Sequence, residues 1–339
     1  MNDGRTVLLL SRAGAAGLPE DVRRRIEDTV RLVVHPVPGR LGAAEAAGLL
    51  AEVDVLASTN LALPVLDEAL LQAAPRLAHV VLYATGYEHI DVGLLDRRGI
   101  TLTTLPDYAT TAVAEHALAL IMALAARVPL ANDRSRGLAP AGVSLRGFEV
   151  AGRTLGIVGT GRIGRHLARI ARGIGMTVIG TDIDPLARVR AAADGIQMVV
   201  PAHLVAQADV VAICASTIQG TFPILDAAAI AALKPGAVVV SVGRPVLVDT
   251  PAMLAALRGH VVRGYAVDDV IAGPDFEDPA VDLIAEGRLL QTGHSAWWRD
   301  EVLDRGGRMF ADAILAAACG HPVNVVHAGD HHAEGRWVG

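Results

Sequence analysis

Cysteine is nearly missing. The 339 residues carry two, Cys214 and Cys319, far apart and each among apolar neighbours. That excludes a disulfide framework and predicts two buried free thiols in a reducing, cytoplasmic setting. Excess positive charge is missing too: the formal net charge is -6, the pI is near 6.0, and Lys234 is the single lysine beside the arginines. A nucleic-acid footprint needs Lys and Arg clustered on one face, so no such partner is expected. The most apolar stretch, Ala109 to Val128, is broken by Glu115, His116 and Arg127. Ionised groups are costly at bilayer depth, so this stretch predicts a buried helix and no membrane partner. Met1 to Arg12 has Asp3 and Arg5 where a secretory leader would carry a cationic head and a cleavage site, so no signal peptide is expected. Repeats at solenoid periods and low-complexity tracts are absent, and no metal site is predicted.

What is present is a chain with 52% hydrophobic residues, 19% charged residues and 35 glycines, long enough for two domains of roughly 150 residues each. Short β-branched runs alternate with helical stretches: Thr6–Leu10, Val53–Ser58, His79–Tyr83 and Ile100–Thr104. After a hinge at Leu105–Asp107 and a long helix, a second series follows: Leu155–Val158, Thr177–Thr181, Asp209–Ile213, Ala237–Val242, Val261–Val267 and Arg288–Thr292. These are continuous Val/Ile runs and do not alternate with polar residues, as expected where helices cover both faces of a parallel sheet. The fold class is therefore α/β, with doubly wound parallel sheets. Glu301 to Cys319 has helical spacing at Val302, Met309, Phe310 and Ile314, and His327 to Gly339 reads as a loose polar tail.

Gly159-Thr160-Gly161-Arg162-Ile163-Gly164 lies directly after the run Leu155–Val158 and opens a helix with an apolar face of Ile163, Leu167, Ile170 and Ile174. The first glycine permits a tight turn, the second lets the backbone approach a pyrophosphate, and the third lets helix pack close on strand. The anion then sits on the helix N-terminus. Asp182 ends the next strand, 18 residues beyond Gly164, where a carboxylate accepts from ribose hydroxyls and repels a 2′-phosphate. Ile183, Asp184 and Pro185 follow it with no arginine between them, which favours NAD over NADP as the cofactor.

Four further segments give these features a family context. Ala114-Glu115-His116-Ala117-Leu118-Ala119-Leu120, Leu155–Gly164, Val242-Gly243-Arg244 followed by Leu247-Val248-Asp249, and Tyr87-Glu88-His89-Ile90-Asp91 together resemble the D-isomer-specific 2-hydroxyacid dehydrogenases. The resemblance runs from about Thr6 to Val325. It implies a Rossmann cofactor domain, residues 107–296, inserted into a flavodoxin-like substrate domain, residues 1–106 and 297–327, with 328–339 as the tail. It also implies an interdomain cleft, a homodimer, and hydride transfer between the nicotinamide and a 2-hydroxy or 2-keto acid or similar small anion. Arg244 falls at the family's arginine, which clamps the substrate carboxylate and polarises its carbonyl. His294 falls at the family's histidine, which delivers or removes the proton. Asp268 falls where the family holds the nicotinamide amide, and Val242 lies along the cofactor. Thr85-Gly86-Tyr87 matches the loop whose amides meet the substrate acid, although Tyr87 equally suits simple packing. Trp297 suits either a pocket wall or core.

One position departs from the family. Counting on from Arg244, the pair that is normally Glu-Pro reads Gly273-Pro274. A glutamate there would hydrogen-bond the histidine and favour its charged form. Asp269, Asp275, Glu277 and Asp278 are the acids near enough in sequence to replace it. Two explanations stand: an enzyme whose substrate tolerates glycine there, or a protein that binds NAD(H) for sensing or assembly with hydride transfer lost. His294-Ser295-Ala296-Trp297-Trp298 resembles the branch containing the C-terminal binding protein corepressors, in which NAD drives dimerisation. The retained Arg244, His294 and Asp268 favour the enzyme.

Overall fold

The computed structural model describes residues 4–217, 223–272 and 280–331. Within them the chain divides into two compact units, one made of 4–109 and 299–331, the other of 110–298.

The first unit is built on parallel strands β1 (Thr6–Ser11), β2 (Arg31–Pro36), β3 (Val55–Thr59), β4 (His79–Tyr83) and β5 (Thr101–Thr103). Their order is β2-β1-β3-β4-β5, and a two-residue strand, Val325–Val326, adds antiparallel to β5. This is the flavodoxin-like order. β1 is buried along its whole length, so its TVLLLS run carries no polar alternation. β2, RLVVHP, escapes a sequence reading because it is a half-exposed edge strand diluted by Arg31, His35 and Pro36. The helix Asp300–Ala318 packs on β4 and on the helix Glu20–Glu27, burying Val302, Phe310 and Ile314. Phe310 meets Tyr83 edge-on at 5.1 Å between ring centres. Cys319 follows the last turn of this helix and is exposed, correcting the expectation of a buried thiol: the apolar stripe ends one residue before it. The expected loose tail is held at its start, since the Ala328 amide donates to Asp96 at 3.0 Å.

The second unit carries β6 (Thr154–Val158), β7 (Thr177–Thr181), β8 (Gln197–Met198), β9 (Val210–Ile213), β10 (Ala237–Ser241), β11 (Val262–Val267) and β12 (Leu289–Gln291), all parallel, in the order β12-β11-β10-β9-β6-β7-β8. Six of these match the expected series, and β8 is a short addition at the edge. Both faces are covered. Val239 packs into one layer with Val158, Val211 and Tyr265, while Val238 and Val240 pack into the other with Leu155, Ile157 and Ala266. Burying each such side chain contributes roughly 1.5–3 kcal/mol, which is why these strands read as unbroken apolar runs.

The apolar stretch expected as a buried helix is Thr110–Ala126, with Ala117, Leu120, Ile121 and Leu124 buried against the second layer. Among the described residues no single helix is long and apolar enough to cross a membrane; this helix and Val128–Ser135 reach that test only as a pair bent by 59°. The bend falls at Arg127, whose backbone is left-handed and whose guanidinium donates to the Glu286 carbonyl at 2.7 Å.

Candidate active site

The strand order reverses between β6 and β9: β7 and β8 lie on one side of β6, β9 to β12 on the other. Because every strand is parallel, each sends its following loop to the same edge, and crevices at such reversals are where α/β sheets bind ligands. The glycine loop leaves β6, Asp182 follows β7, Arg244 follows β10, Asp268 follows β11 and His294 follows β12.

Gly159 has φ +88°, and a Cβ there would sit 2.5 Å from the Ala215 amide nitrogen. Only glycine makes this turn against the end of β9. At Gly164 a Cβ would run into the Gly159 carbonyl oxygen, so the helix Arg162–Gly173 can lie this close to its strand only without a side chain. Gly161 is different: nothing stands within 4 Å of where its Cβ would be. It caps the helix without a side-chain hydrogen bond, and the first turn holds no acid. Open space in front of an uncapped helix N-terminus suits a pyrophosphate. Arg162 is exposed beside that space, and Ile163 is half-buried against the second layer. Leu167 is buried as expected, whereas Ile174, placed on the apolar face from sequence, lies at the exposed C-terminal end.

Asp182 closes the loop from the side. One of its oxygens accepts from the Thr160 amide at 2.6 Å, and the other from the Asp184 amide at 2.9 Å. The carboxylate is thereby fixed at the tip of β7 with lone pairs to spare for sugar hydroxyls. Cys214, at the end of β9, is no nucleophile, since burial pushes its thiol up to about 12.

On the other half of the sheet, Asp268 is buried and its carboxylate takes three bonds from the β12 loop: the Thr292 hydroxyl at 2.7 Å, the Ser295 amide at 2.8 Å and the Ala296 amide at 3.1 Å. The resemblance gives Asp268 the nicotinamide amide. The role this geometry supports is fixing the loop that carries His294. Behind it, His116 Nε2 lies 2.9 Å from the Thr292 hydroxyl. That hydroxyl spends its one proton on Asp268, so it accepts from His116, whose Nε2 must carry the hydrogen. Sequence reasoning misses the pairing of His116 with Thr292, because they lie 176 positions apart and nothing in either motif links them.

His294 is therefore flanked by two anchored residues. Gly293 and His294 both adopt left-handed backbone, each with φ 59°, which turns the imidazole to the exposed side of the loop. Asp269 Oδ2 lies 4.0 Å from its Nδ1. Arg244 is half-exposed at the head of the 3-10 turn Pro245–Leu247, and the Val242 amide before it bonds the Ile213 carbonyl at 3.0 Å. Trp297 is half-buried and meets Trp298 edge-on at 5.0 Å. Position 273 and the acids Asp275, Glu277 and Asp278 lie outside the described residues.

In the first unit, Thr85 and Gly86 follow β4. The Thr85 hydroxyl donates to the Leu105 carbonyl at 2.9 Å, while neither residue's amide has a backbone acceptor among the described residues. Those two N–H groups are what an anion would need. Tyr87 packs against the first unit's core, which is the packing reading of that residue.

The network makes a stability prediction. Asp268→Ala leaves a hydroxyl and two amides in a buried place without an acceptor, and should cost about 3–5 kcal/mol; Thr292→Val should cost about 1–2 kcal/mol. Urea unfolding of the two variants measures both, and an Asp268→Ala protein as stable as wild type would rule the network out as a support.

Comparison with known proteins agrees with this geometry. The family profile described as D-isomer specific 2-hydroxyacid dehydrogenase, NAD binding domain, matches residues 118–296. The chain is 31% identical to the D-3-phosphoglycerate dehydrogenase of Mycobacterium tuberculosis over 256 residues, which cover 75% of this chain but 47% of that one, so the chain spans about half the length of that relative. It is 31% identical to the glyoxylate reductase of Pyrococcus furiosus over 272 residues, covering 74% of this chain and 76% of the other. A crystal structure of a protein from Thermus thermophilus superposes with a TM-score of 0.79 at 29% identity, over 94% of this chain and 99% of that one. With the profile matched over 118–296 of the unit 110–298, and the glycine loop, arginine and histidine at one sheet edge, the chain belongs to the D-isomer-specific 2-hydroxyacid dehydrogenase family.

Proposed function

We propose that the chain is an NAD-dependent oxidoreductase that moves a hydride between the nicotinamide and the alpha carbon of a 2-hydroxy or 2-keto acid or a similar small anion. The observation that carries this reading is the shared edge: four parallel strand ends hold a pyrophosphate cradle, a ribose-facing carboxylate, a guanidinium and an imidazole. Neighbouring strands are about 4.8 Å apart, so β6 and β10 stand roughly 10 Å apart, a span a dinucleotide bridges.

The residues present fit the cofactor. The uncapped helix behind Gly161 holds the pyrophosphate, and Asp182 holds the adenosine ribose. When bound, the cofactor supplies the hydride acceptor or donor. Arg244 binds and orients the substrate acid by a paired hydrogen bond to its carboxylate, and draws electron density from the adjacent carbonyl oxygen. His294 holds the proton that reaches that oxygen on reduction and takes it back on oxidation. The two curated relatives above are named as a dehydrogenase and a reductase of small acids, and neither name favours the sensing or assembly reading.

Titration calorimetry with NADH and NADPH tests the cofactor assignment. A 2′-phosphate facing the Asp182 carboxylate should weaken NADPH by about 100-fold or more, and Asp182→Ala should narrow that ratio. Equal affinities in the wild type would remove Asp182 from the ribose site.

A further inference from the structure

The sequence places glycine at 273, so the glutamate expected to face the histidine has no side chain there. A carboxylate nevertheless faces the imidazole from a different turn. β11 ends at Val267, and the two residues after it are both aspartates. Side chains alternate along a strand, and the alternation carries through its end. Tyr265 and Val267 point into one layer and Ala266 into the other. Asp268 turns inward to tie down the β12 loop, and Asp269 turns to the opposite side, about two-thirds buried. Burial, with the Asp269 charge adding to it, pushes the Tyr265 hydroxyl up, as expected if that carboxylate stands over the tyrosine's face of the sheet. Asp269 Oδ1 accepts from the Val270 amide at 2.8 Å, which sets the plane of the carboxylate. Oδ2 is left 4.0 Å from His294 Nδ1. His294 cannot drift from this position easily, because Thr292 and Ser295 on either side are bonded to Asp268.

We infer that Asp269 is the carboxylate partner of His294, acting as a positioning residue from the turn after β11 in place of the glutamate expected at 273. The inference rests on the proposed function only for its meaning in turnover; the pairing itself does not. An imidazolium Nδ1–H directed at Asp269 leaves Nε2–H free to face a substrate oxygen, which is the orientation proton delivery needs. Among the described residues, the charged groups around His294 are Asp269 in front, Asp268 behind through the Ser295 amide, His116 behind Asp268 through Thr292, and Arg244 at the end of β10, two strands away. Of these, Asp269 is the one whose carboxylate lies on the imidazole's Nδ1 side at ion-pair distance.

The test is NMR of the His294 ring nitrogens in the full chain without substrate, wild type against Asp269→Asn and Asp269→Glu. Loss of the carboxylate facing Nδ1 should change the ring's tautomer balance and orientation, read as displaced nitrogen-15 shifts in Asp269→Asn that Asp269→Glu restores. In turnover the Asn variant should lose about 10-fold or more in kcat for keto-acid reduction while KM for the acid holds. An Asp269→Asn ring with wild-type nitrogen shifts, or a Glu variant displaced as far as the Asn one, overturns the inference. Because the ring measurement needs no substrate, a failure of the proposed function would leave this result readable.

Discussion

Arg244→Ala should lower kcat/KM for keto-acid reduction by about 1,000-fold or more and leave NADH affinity within about twofold. The reason is the division of labour along the sheet edge. The proposed pyrophosphate and ribose sites lie at β6 and β7, two strands and more from Arg244 at the end of β10. β10 itself is buried at all five positions, and Pro245 starts the turn immediately after the arginine, so the backbone that presents the guanidinium should not move when the side chain is cut. What is lost is a charge-assisted, two-point contact that also strengthens as the carbonyl gains negative charge, worth about 4 kcal/mol or more when both effects are removed. Arg244→Lys should recover little of it, because an ammonium offers a point charge where the carboxylate needs a planar fork. Steady-state kinetics together with NADH titration separate these outcomes. A variant that loses cofactor affinity and rate in equal measure would show that Arg244 serves the dinucleotide and leaves the acid to other groups.

The glycine loop yields a second large effect, in which two similar substitutions should fail in opposite ways. Gly161→Ala adds a methyl into open space at φ -65°, so the protein should fold with wild-type stability. The methyl occupies the room a pyrophosphate needs, and NADH affinity should fall by about 100-fold or more. Gly164→Ala adds the same methyl against the Gly159 carbonyl oxygen and 3.0 Å from an Ile157 methyl, in the middle of the second layer. Neither neighbour can yield without shifting the helix off β6, so this variant should lose about 2–4 kcal/mol of stability whether or not cofactor is present. Thermal unfolding and NADH titration on both variants check the pair. A Gly161→Ala protein that binds NADH normally would mean that the loop is a structural turn with no dinucleotide on it.

The sequence discloses these glycines because each is forced by something local: a turn, an approach, a contact between adjacent elements. The buried strands are equally legible. β10 and β11 are covered on both faces, so burial leaves an uninterrupted apolar run. β2 is harder, since an edge strand that is half-exposed tolerates Arg31, His35 and Pro36, and the run that would betray it shrinks to Leu32-Val33-Val34. Ile174 and Cys319 mislead for a related reason: each continues an apolar stripe past the point where the helix leaves its neighbours.

The positions of the site residues could be read along the chain, and their partners could not. Asp268 stands at a recognisable place after a strand, but what its carboxylate binds is a hydroxyl and two amides 24 to 28 positions away on the next strand end. His116 lies in a motif quoted for the family, yet its bond to Thr292 depends on how the helix Thr110–Ala126 crosses the sheet. The same limit applies to Asp269. Sequence proximity makes it one of four acids able to replace the glutamate; it is the one of the four among the described residues, and the alternation of side chains past β11 turns it toward His294, 4.0 Å from Nδ1.

Isotope transfer tests the central claim most directly. NADH carrying deuterium at the transferred position is incubated with the wild-type protein and a panel of small 2-keto acids, and the products are weighed by mass spectrometry. The account predicts at least one 2-hydroxy acid with deuterium on its alpha carbon, formed by the wild type and lost in Arg244→Ala. Tight NADH binding with no labelled product from any acid in the panel would contradict it.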